Sequence, residues 1–168
     1  VKGLINGVVC CAGMPYKLAE ICAKYKVYYY PIVSSMRAFR ALWLRSFKKT
    51  KEWLGGVVYE CPWRAGGHNG LSNADNPLAP EKPLARLLEI RKFMNEVGLK
   101  TVPIIIAGGI WWLSEWIDYI NNKEIGPVGF QFGTRPMVTM ESPLKDKVKQ
   151  KLLNIDKGGV KLQQFSPT

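Results

Sequence analysis

Near-continuous apolar runs, each followed by a segment with helical spacing, are the feature that most limits how this chain can fold. Strands that are apolar at almost every residue are typical of a parallel sheet covered by helices. The predicted strands are residues 4–12, 27–33, 55–61, 102–107 and 128–132. The predicted helices are residues 16–25, 35–53, 84–97 and 113–122, with a last helix that has Ser142 as N-cap and Pro143 as its first residue. This alternation predicts an α/β fold, either doubly wound or a (β/α) barrel.

The length of the chain predicts one domain over residues 1–168. Its 47% hydrophobic residues are enough for a single core. Five strands are too few to close an eight-stranded barrel. The chain is therefore expected to be either an open sheet or about five of the eight strand–helix units of a (β/α)8 TIM barrel, as part of a longer chain.

The net charge of +11 raises the question of an anionic partner. Basic residues cluster in 37–51 and 145–151, and the apolar residues of both stretches have helical spacing, so the charges lie mostly off the apolar face. No nucleic-acid-binding motif accompanies them. We interpret both stretches as solvated helix faces, and we expect no nucleic-acid or membrane partner beyond a general attraction for anionic ligands.

Cysteine and histidine content limits the metal chemistry and indicates a compartment. The four cysteines form no C-x-x-C pair and the chain has a single histidine, so no metal site is expected. Buried, reduced thiols are typical of a cytoplasmic protein. The longest apolar stretch, residues 102–113, is short and interrupted by glycine, and no leader sequence is predicted, which also favours the cytoplasm.

Three predicted strands end in glycine-rich turns, AGGHNG, AGGI and FGTRP. Carboxyl ends of parallel strands form the ligand-binding edge of α/β proteins, and consecutive glycines expose backbone N–H groups that suit a phosphate. A helix after Ile110 is expected to add its positive end. Taken alone, each of the last two motifs, AGGI (107–110) and FGTRP (132–136), favours a tight turn without a ligand. Because both occur in succession, the pair favours a phosphate site. A dinucleotide-binding fold is disfavoured because AGGIWWLSE lacks the G-x-G-x-x-G spacing.

The only histidine, His68, lies between the glycines of the first turn. Gly66 and Gly67 would let the backbone pass close to a flat cofactor ring and leave the imidazole beside it, where substrate would sit. An imidazole can act as a general acid or base near neutral pH. From this stretch alone, a histidine that only hydrogen-bonds its own loop is an equal alternative.

Three motifs in order resemble those of the nitronate monooxygenase family, once called 2-nitropropane dioxygenases. They are AGGHNG (65–70), PIIIAGGI (103–110) and GFQFGTRPMVTMES (129–142). The wider group includes flavin-dependent enoyl-thioester reductases, and the match runs from about residue 7 to about Ser142. Two positions depart from the family pattern: Arg64 stands where a glutamate commonly precedes A-G-G-H, and Pro136 replaces the usual aromatic residue.

The resemblance implies the carboxyl-terminal portion of an FMN-binding TIM barrel. It places the family's catalytic histidine on His68, and it implies the oxidation of nitronates or nitroalkanes with dioxygen. The residues expected to contact FMN are Gly66, Gly67, Gly108, Gly109, Gln131, Gly133 and Thr134. We expect one parallel sheet in sequential order with helices along its outer face, and a phosphate within reach of the backbone N–H groups of Gly109 and Thr134.

Two alternatives stay open. One is an enoyl-thioester reductase on the same scaffold, with a nicotinamide as electron source. The other is a non-catalytic barrel fragment. The expected partners are a small-molecule substrate and dioxygen, and either a further copy in a homo-oligomer or a missing amino-terminal half.

Overall fold

The computed structural model describes residues 3–10, 13–67, 70–72, 75–156 and 159–162. Its strands are β1 (Gly7–Cys10), β2 (Tyr28–Val33), β3 (Val57–Glu60), β4 (Ile104–Ala107) and β5 (Val128–Gln131). They form one sheet in the order β1-β2-β3-β4-β5, and all four neighbouring pairs are parallel. The predicted α/β class and the sequential parallel order are confirmed.

The described residues form six α-helices and three short 3-10 turns. The helices are α1 (Leu18–Tyr25), α2 (Met36–Arg45), α3 (Pro83–Glu96), α4 (Ile117–Ile120), α5 (Thr134–Met137) and α6 (Asp146–Leu153). The 3-10 turns are Phe47–Lys49, Lys51–Trp53 and Leu113–Trp116. None of the helices in the described part of the chain has the length and apolar character needed to span a bilayer.

Three helix boundaries differ from the prediction. The helix predicted over 35–53 ends at Arg45, because the backbone of Ser46 leaves the helical region and its hydroxyl donates to the carbonyl of Tyr16 at 2.5 Å. The helix predicted over 113–122 is a 3-10 turn followed by α4. The assignment of Ser142 and Pro143 as N-cap and first residue of the last helix is wrong. The hydroxyl of Ser142 instead accepts the N–H of Leu144 in a local turn, and α6 begins at Asp146.

One face of the sheet packs against the three long helices. Alternate strand residues such as Tyr29, Tyr59 and Ile106 lie in one buried cluster with side chains of α1, α2 and α3. The helix residues of this cluster are Ala19, Cys22, Phe39, Leu42, Trp43, Leu87, Ile90 and Met94. The long helices therefore cover the same face, as in the outer layer of a barrel.

The opposite, inner face is less buried than the apolar runs predict. Tyr30, Ile32 and Ile105 on this face are only half-buried. The ring of Tyr30 lies across the neighbouring strands, and a β-carbon on Gly7 or Gly55 would overlap it. We expected strands buried on both faces, but the strands are fully buried only on the outer face, because α1, α2 and α3 cover that face.

Candidate phosphate and flavin site

The carboxyl ends of β3, β4 and β5 lie side by side at one edge of the sheet. Glu60 pairs with Ala107, and Ala107 pairs with Gln131. Residues in register on neighbouring parallel strands point to the same face, here the inner one. The loops that follow the three strands therefore meet at this edge, so the structure brings the three glycine-rich turns together.

A cavity of about 470 Å³ lies at this edge. Six of the seven residues expected to contact FMN line it, namely Gly66, Gly108, Gly109, Gln131, Gly133 and Thr134. Gly67 follows Gly66 in the same loop but is not part of the lining. His68 lies outside the described residues, so its place beside a cofactor stays a prediction.

Two charged side chains of the cavity lining, Glu60 and Arg64, were not assigned to the site from the sequence. Glu60 is the last residue of β3, and burial raises the pKa of its carboxyl above the usual range. Its position at a strand end in register with Gln131 is the signal that could have identified it. The rest of the lining is apolar: Ala65, Ala107, Ile110, Trp111 and Met137. Within the described ranges, no group of three or more His, Cys, Asp or Glu side chains is placed to hold a metal ion.

Gly108 and Gly109 are required by the backbone itself. Their φ angles are +89° and +73°, a region that favours glycine. A β-carbon on Gly108 would lie 3.1 Å from the carbonyl oxygen of Cys61, and one on Gly109 would lie 3.0 Å from Cδ of Arg64. The turn after β4 therefore needs these two glycines to pack against the loop after β3, with or without a ligand.

Gly66 and Gly133 are free of those constraints. No described atom lies within 4 Å of the point where a β-carbon would stand on either residue, and the φ angle of Gly133 is an ordinary −100°. Both residues line the cavity. A side chain at these positions would fill a wall that is now bare backbone, so the glycines fit the close approach of a phosphate or a flat ring.

The helix that the sequence predicts after Ile110 does not bring its N-terminus to the site. Trp112 has an extended backbone, with φ −118° and ψ 133°, and the 3-10 turn that follows begins only at Leu113. The positive end of a helix is therefore not placed next to Gly109. The backbone N–H groups of this turn remain the expected phosphate donors.

Arg135 joins the loop after β4 to the loop after β5. Its Nη1 donates to the carbonyl of Trp111 at 2.9 Å. Its guanidinium carbon lies 4.4 Å from the ring centre of Trp112 and 5.6 Å from that of Phe132. These contacts fix the two candidate phosphate loops relative to each other. Arg135 belongs to the third motif, but the resemblance implies no role for it.

The loop after β3 is held by Arg86 of α3, together with Asp75, Glu81 and Trp63, which we call the Arg86 cluster. Nη2 of Arg86 lies 2.6 Å from Oδ1 of Asp75, and Nε lies 2.9 Å from Oε2 of Glu81. The guanidinium carbon lies 4.6 Å from the ring centre of Trp63. The cluster therefore attaches both sides of the loop that contains AGGHNG to one helix.

Further contacts fix this loop against the end of β2. Nη1 of Arg86 donates to the carbonyl of Ser34 at 3.3 Å, and a β-carbon on Gly70 would overlap the side chain of the same serine. Burial alone would raise the pKa of Asp75. Hydrogen bonds from the N–H and hydroxyl of Ser72, and from Arg86, outweigh burial and lower it. Gly70 thus serves a close approach to Ser34.

Comparisons with known proteins agree with this architecture. No protein-family model matches the chain, and no curated protein matches its sequence. The structure of FabK from Thermotoga maritima is similar, with a TM-score of 0.64 and 20% identity over 89% of this chain and 40% of that one. A point mutant of the same FabK gives a TM-score of 0.63 and 20% identity over 89% of this chain and 42% of that one.

The chain therefore spans about two fifths of the length of these structures. At 20% identity the likeness shows the fold, namely five parallel strands with their helices as part of a TIM barrel. The comparisons do not show the nitronate monooxygenase family itself.

Proposed function

We propose that this chain forms the phosphate-binding part of an FMN-dependent oxidoreductase that oxidises nitronates or nitroalkanes with dioxygen. One observation carries the proposal. Six residues expected to contact FMN come from three separate segments at or after the ends of β3, β4 and β5, and all six line one cavity at the carboxyl edge of the sheet. The likeness in fold to FabK supports a flavin-dependent oxidoreductase of the same superfamily.

The residues present fit FMN. Bare backbone at Gly66 and Gly133 leaves room for a ring or a phosphate. We assign the backbone N–H groups of Gly109 and Thr134 to the phosphate, and Gln131 to the neighbourhood of the ring. When bound, FMN supplies the electron transfer from substrate to dioxygen. The chain's own part is to position the reactants and to handle protons.

Proton handling is assigned to His68. It either takes the α-proton of a neutral nitroalkane or stabilises the nitro oxygens of the bound substrate. Substitution of His68 by asparagine should lower the rate with a neutral nitroalkane by about 10²–10⁴-fold while FMN stays bound. An already ionised nitronate needs no proton removed, so its oxidation should suffer less. Equal losses with both substrates would argue against the role as a base.

Flavin binding is best tested at Gly133. A Gly109 variant would be ambiguous, because its positive φ and its contact with Arg64 make any side chain disruptive. Gly133→Val should place a side chain in the cavity without backbone strain, and we expect FMN affinity to fall at least tenfold while the melting temperature is unchanged. The measurement is flavin absorbance and fluorescence during titration of the purified protein.

Gly129→Ala is the matched control for this experiment. Gly129 lies on β5, two residues before Gln131, is not part of the cavity lining, and its added β-carbon would meet Ile105 at an ordinary 3.4 Å. FMN affinity should be unchanged in this variant. A wild-type protein that purifies colourless and binds no FMN, or a Gly133→Val variant with full affinity, would refute the proposal.

An enoyl-thioester reductase is the second candidate. The observation in its favour is that the two structures compared above are of FabK, which falls within the wider flavin-dependent group. The net charge of +11 would also suit an acidic carrier protein. Flavin reduction by a nicotinamide, followed by reoxidation with an enoyl thioester, would favour the reductase. Flavin reduction by a nitronate would favour the monooxygenase.

A further inference from the structure

Arg64 lies in the wall of the cavity, in the loop after β3. Its Cβ and Cδ lie 3.1 and 3.0 Å from the point where a β-carbon on Gly109 would stand, so the side-chain stem runs along the turn after β4. Its guanidinium carbon lies 5.8 Å from the ring centre of Trp116. The stem therefore passes Gly109, one of the two residues whose backbone N–H groups we assign to the phosphate, before the guanidinium reaches Trp116.

Among the described residues, no carboxylate forms an ion pair with Arg64. Over the described residues, the ion pairs are those of Arg86 with Asp75 and Glu81, and that of Lys149 with Asp146. The contact with the indole of Trp116 orients a guanidinium but leaves its charge intact. A guanidinium stays charged at any physiological pH and offers a planar set of donors that matches a phosphate.

We propose that Arg64 binds the phosphate of the flavin, and that it makes this site select FMN over riboflavin. The proposal rests on the proposed function. The ligand chemistry is an oxyanion, and the place of the stem against Gly109 favours the cofactor's phosphate over an anionic substrate.

The test compares FMN with riboflavin, which lacks the phosphate. Dissociation constants are measured by flavin fluorescence for the wild type, Arg64→Gln and Arg64→Glu. We expect Arg64→Gln to weaken FMN binding by about 10- to 100-fold, the usual effect of a lost hydrogen bond to a charged group, and to leave riboflavin binding unchanged. Arg64→Glu should weaken FMN binding further. Adding salt should weaken FMN binding to the wild type more than to Arg64→Gln.

Arg40→Gln is the matched control, because Arg40 is an exposed arginine on α2 that is not part of the cavity lining. It should leave the ratio of the two dissociation constants unchanged, and circular dichroism should show that all variants fold. A ratio in Arg64→Gln within twofold of the wild-type ratio would overturn the inference, while FMN binding by the wild type would keep the proposed function intact.

Two other outcomes would also overturn the inference. If Arg64→Gln weakens the binding of a nitronate but not of FMN, Arg64 holds the oxyanion of the substrate. If the wild type binds neither flavin, the proposed function fails and the inference fails with it.

Discussion

Arg86 has two acidic partners that differ sharply in burial, which allows the energy of the Arg86 cluster to be measured. The exposed fraction of the side chain is 13% for Arg86, 14% for Asp75 and 54% for Glu81. The two ion-pair distances are similar, at 2.6 and 2.9 Å. The burial of the two carboxylates, rather than their distances from Arg86, should therefore decide which of them fixes the loop after β3.

The expected coupling energies follow from this difference. A shielded, charge-assisted hydrogen bond contributes about 1.5–3 kcal/mol, so we expect that value for the coupling between Arg86 and Asp75. An exposed ion pair contributes about 0.2–1 kcal/mol, which is the expectation for Arg86 with Glu81. Asp75→Ala alone should lower the free energy of unfolding by more than the coupling energy between Asp75 and Arg86. The N–H and hydroxyl of Ser72 also lose their acceptor in this variant.

Two double-mutant cycles measure these energies. Urea unfolding is followed for Asp75→Ala, Arg86→Met and the double variant, and then for the same set with Glu81→Ala in place of Asp75→Ala. Limited proteolysis should cleave the loop faster in Asp75→Ala than in Glu81→Ala. Equal coupling energies in the two cycles, both below about 0.5 kcal/mol as for an exposed pair, would refute the claim that burial of Asp75 fixes the loop.

The coupling with Asp75 should also depend on pH. The pKa of Asp75 is lowered in the folded protein, against the effect of burial, by hydrogen bonds from Ser72 and Arg86. A lowered pKa stabilises the folded state above the unfolded value, which is about 3.9 for aspartate. The coupling should therefore be complete at pH 7 and disappear as the pH falls below about 4 through the folded pKa.

Three further substitutions test the core. Tyr59→Phe should raise the free energy of unfolding by about 1 kcal/mol, because the described residues offer its buried hydroxyl no partner beyond the weak thiol of Cys61. Tyr29→Phe should lower it by about 1 kcal/mol, because that hydroxyl donates to the carbonyl of Thr50 at 3.3 Å. Arg91→Met should lower it by about 3 kcal/mol or more, because the buried guanidinium donates to five backbone carbonyls. Urea unfolding measures all three changes in the free energy of unfolding. Equal changes for the two tyrosine variants, or a decrease below about 1 kcal/mol for Arg91→Met, would contradict these assignments.

The strands could be predicted from the sequence because each is a run of apolar residues that no helix period explains. Their ends could not, because hydrogen bonding to neighbours decides them. The run predicted as 102–107 forms β4 only from Ile104, since Pro103 has no N–H to donate and contributes only its carbonyl, to Val57. The break in the helix after Arg45 likewise depends on the hydroxyl of Ser46 reaching Tyr16, a contact between residues 30 positions apart.

The edge that carries the site could be predicted because carboxyl ends of parallel strands coincide, whatever the loops do in detail. The residues that hold the loops could not. Arg86 and Arg135 act through aromatic rings and carbonyls that are distant in the sequence. Buried Arg91 gives no sequence signal either, because its partners are backbone carbonyls, which every residue has.

The glycines of the three motifs serve two different purposes, and this decides how far the motifs support a flavin. Gly67, Gly108 and Gly109 have positive φ angles, the last two pack against the loop after β3, and Gly70 packs against Ser34, so these four would be glycine in any protein with the same loops. A match at such positions supports the barrel but not the cofactor. Gly66 and Gly133 face the cavity without any such constraint from described atoms. Because the fold does not require glycine there, these two positions add support for FMN that the barrel fold does not explain, and Gly133 is the residue at which the proposal can be tested without disturbing the fold.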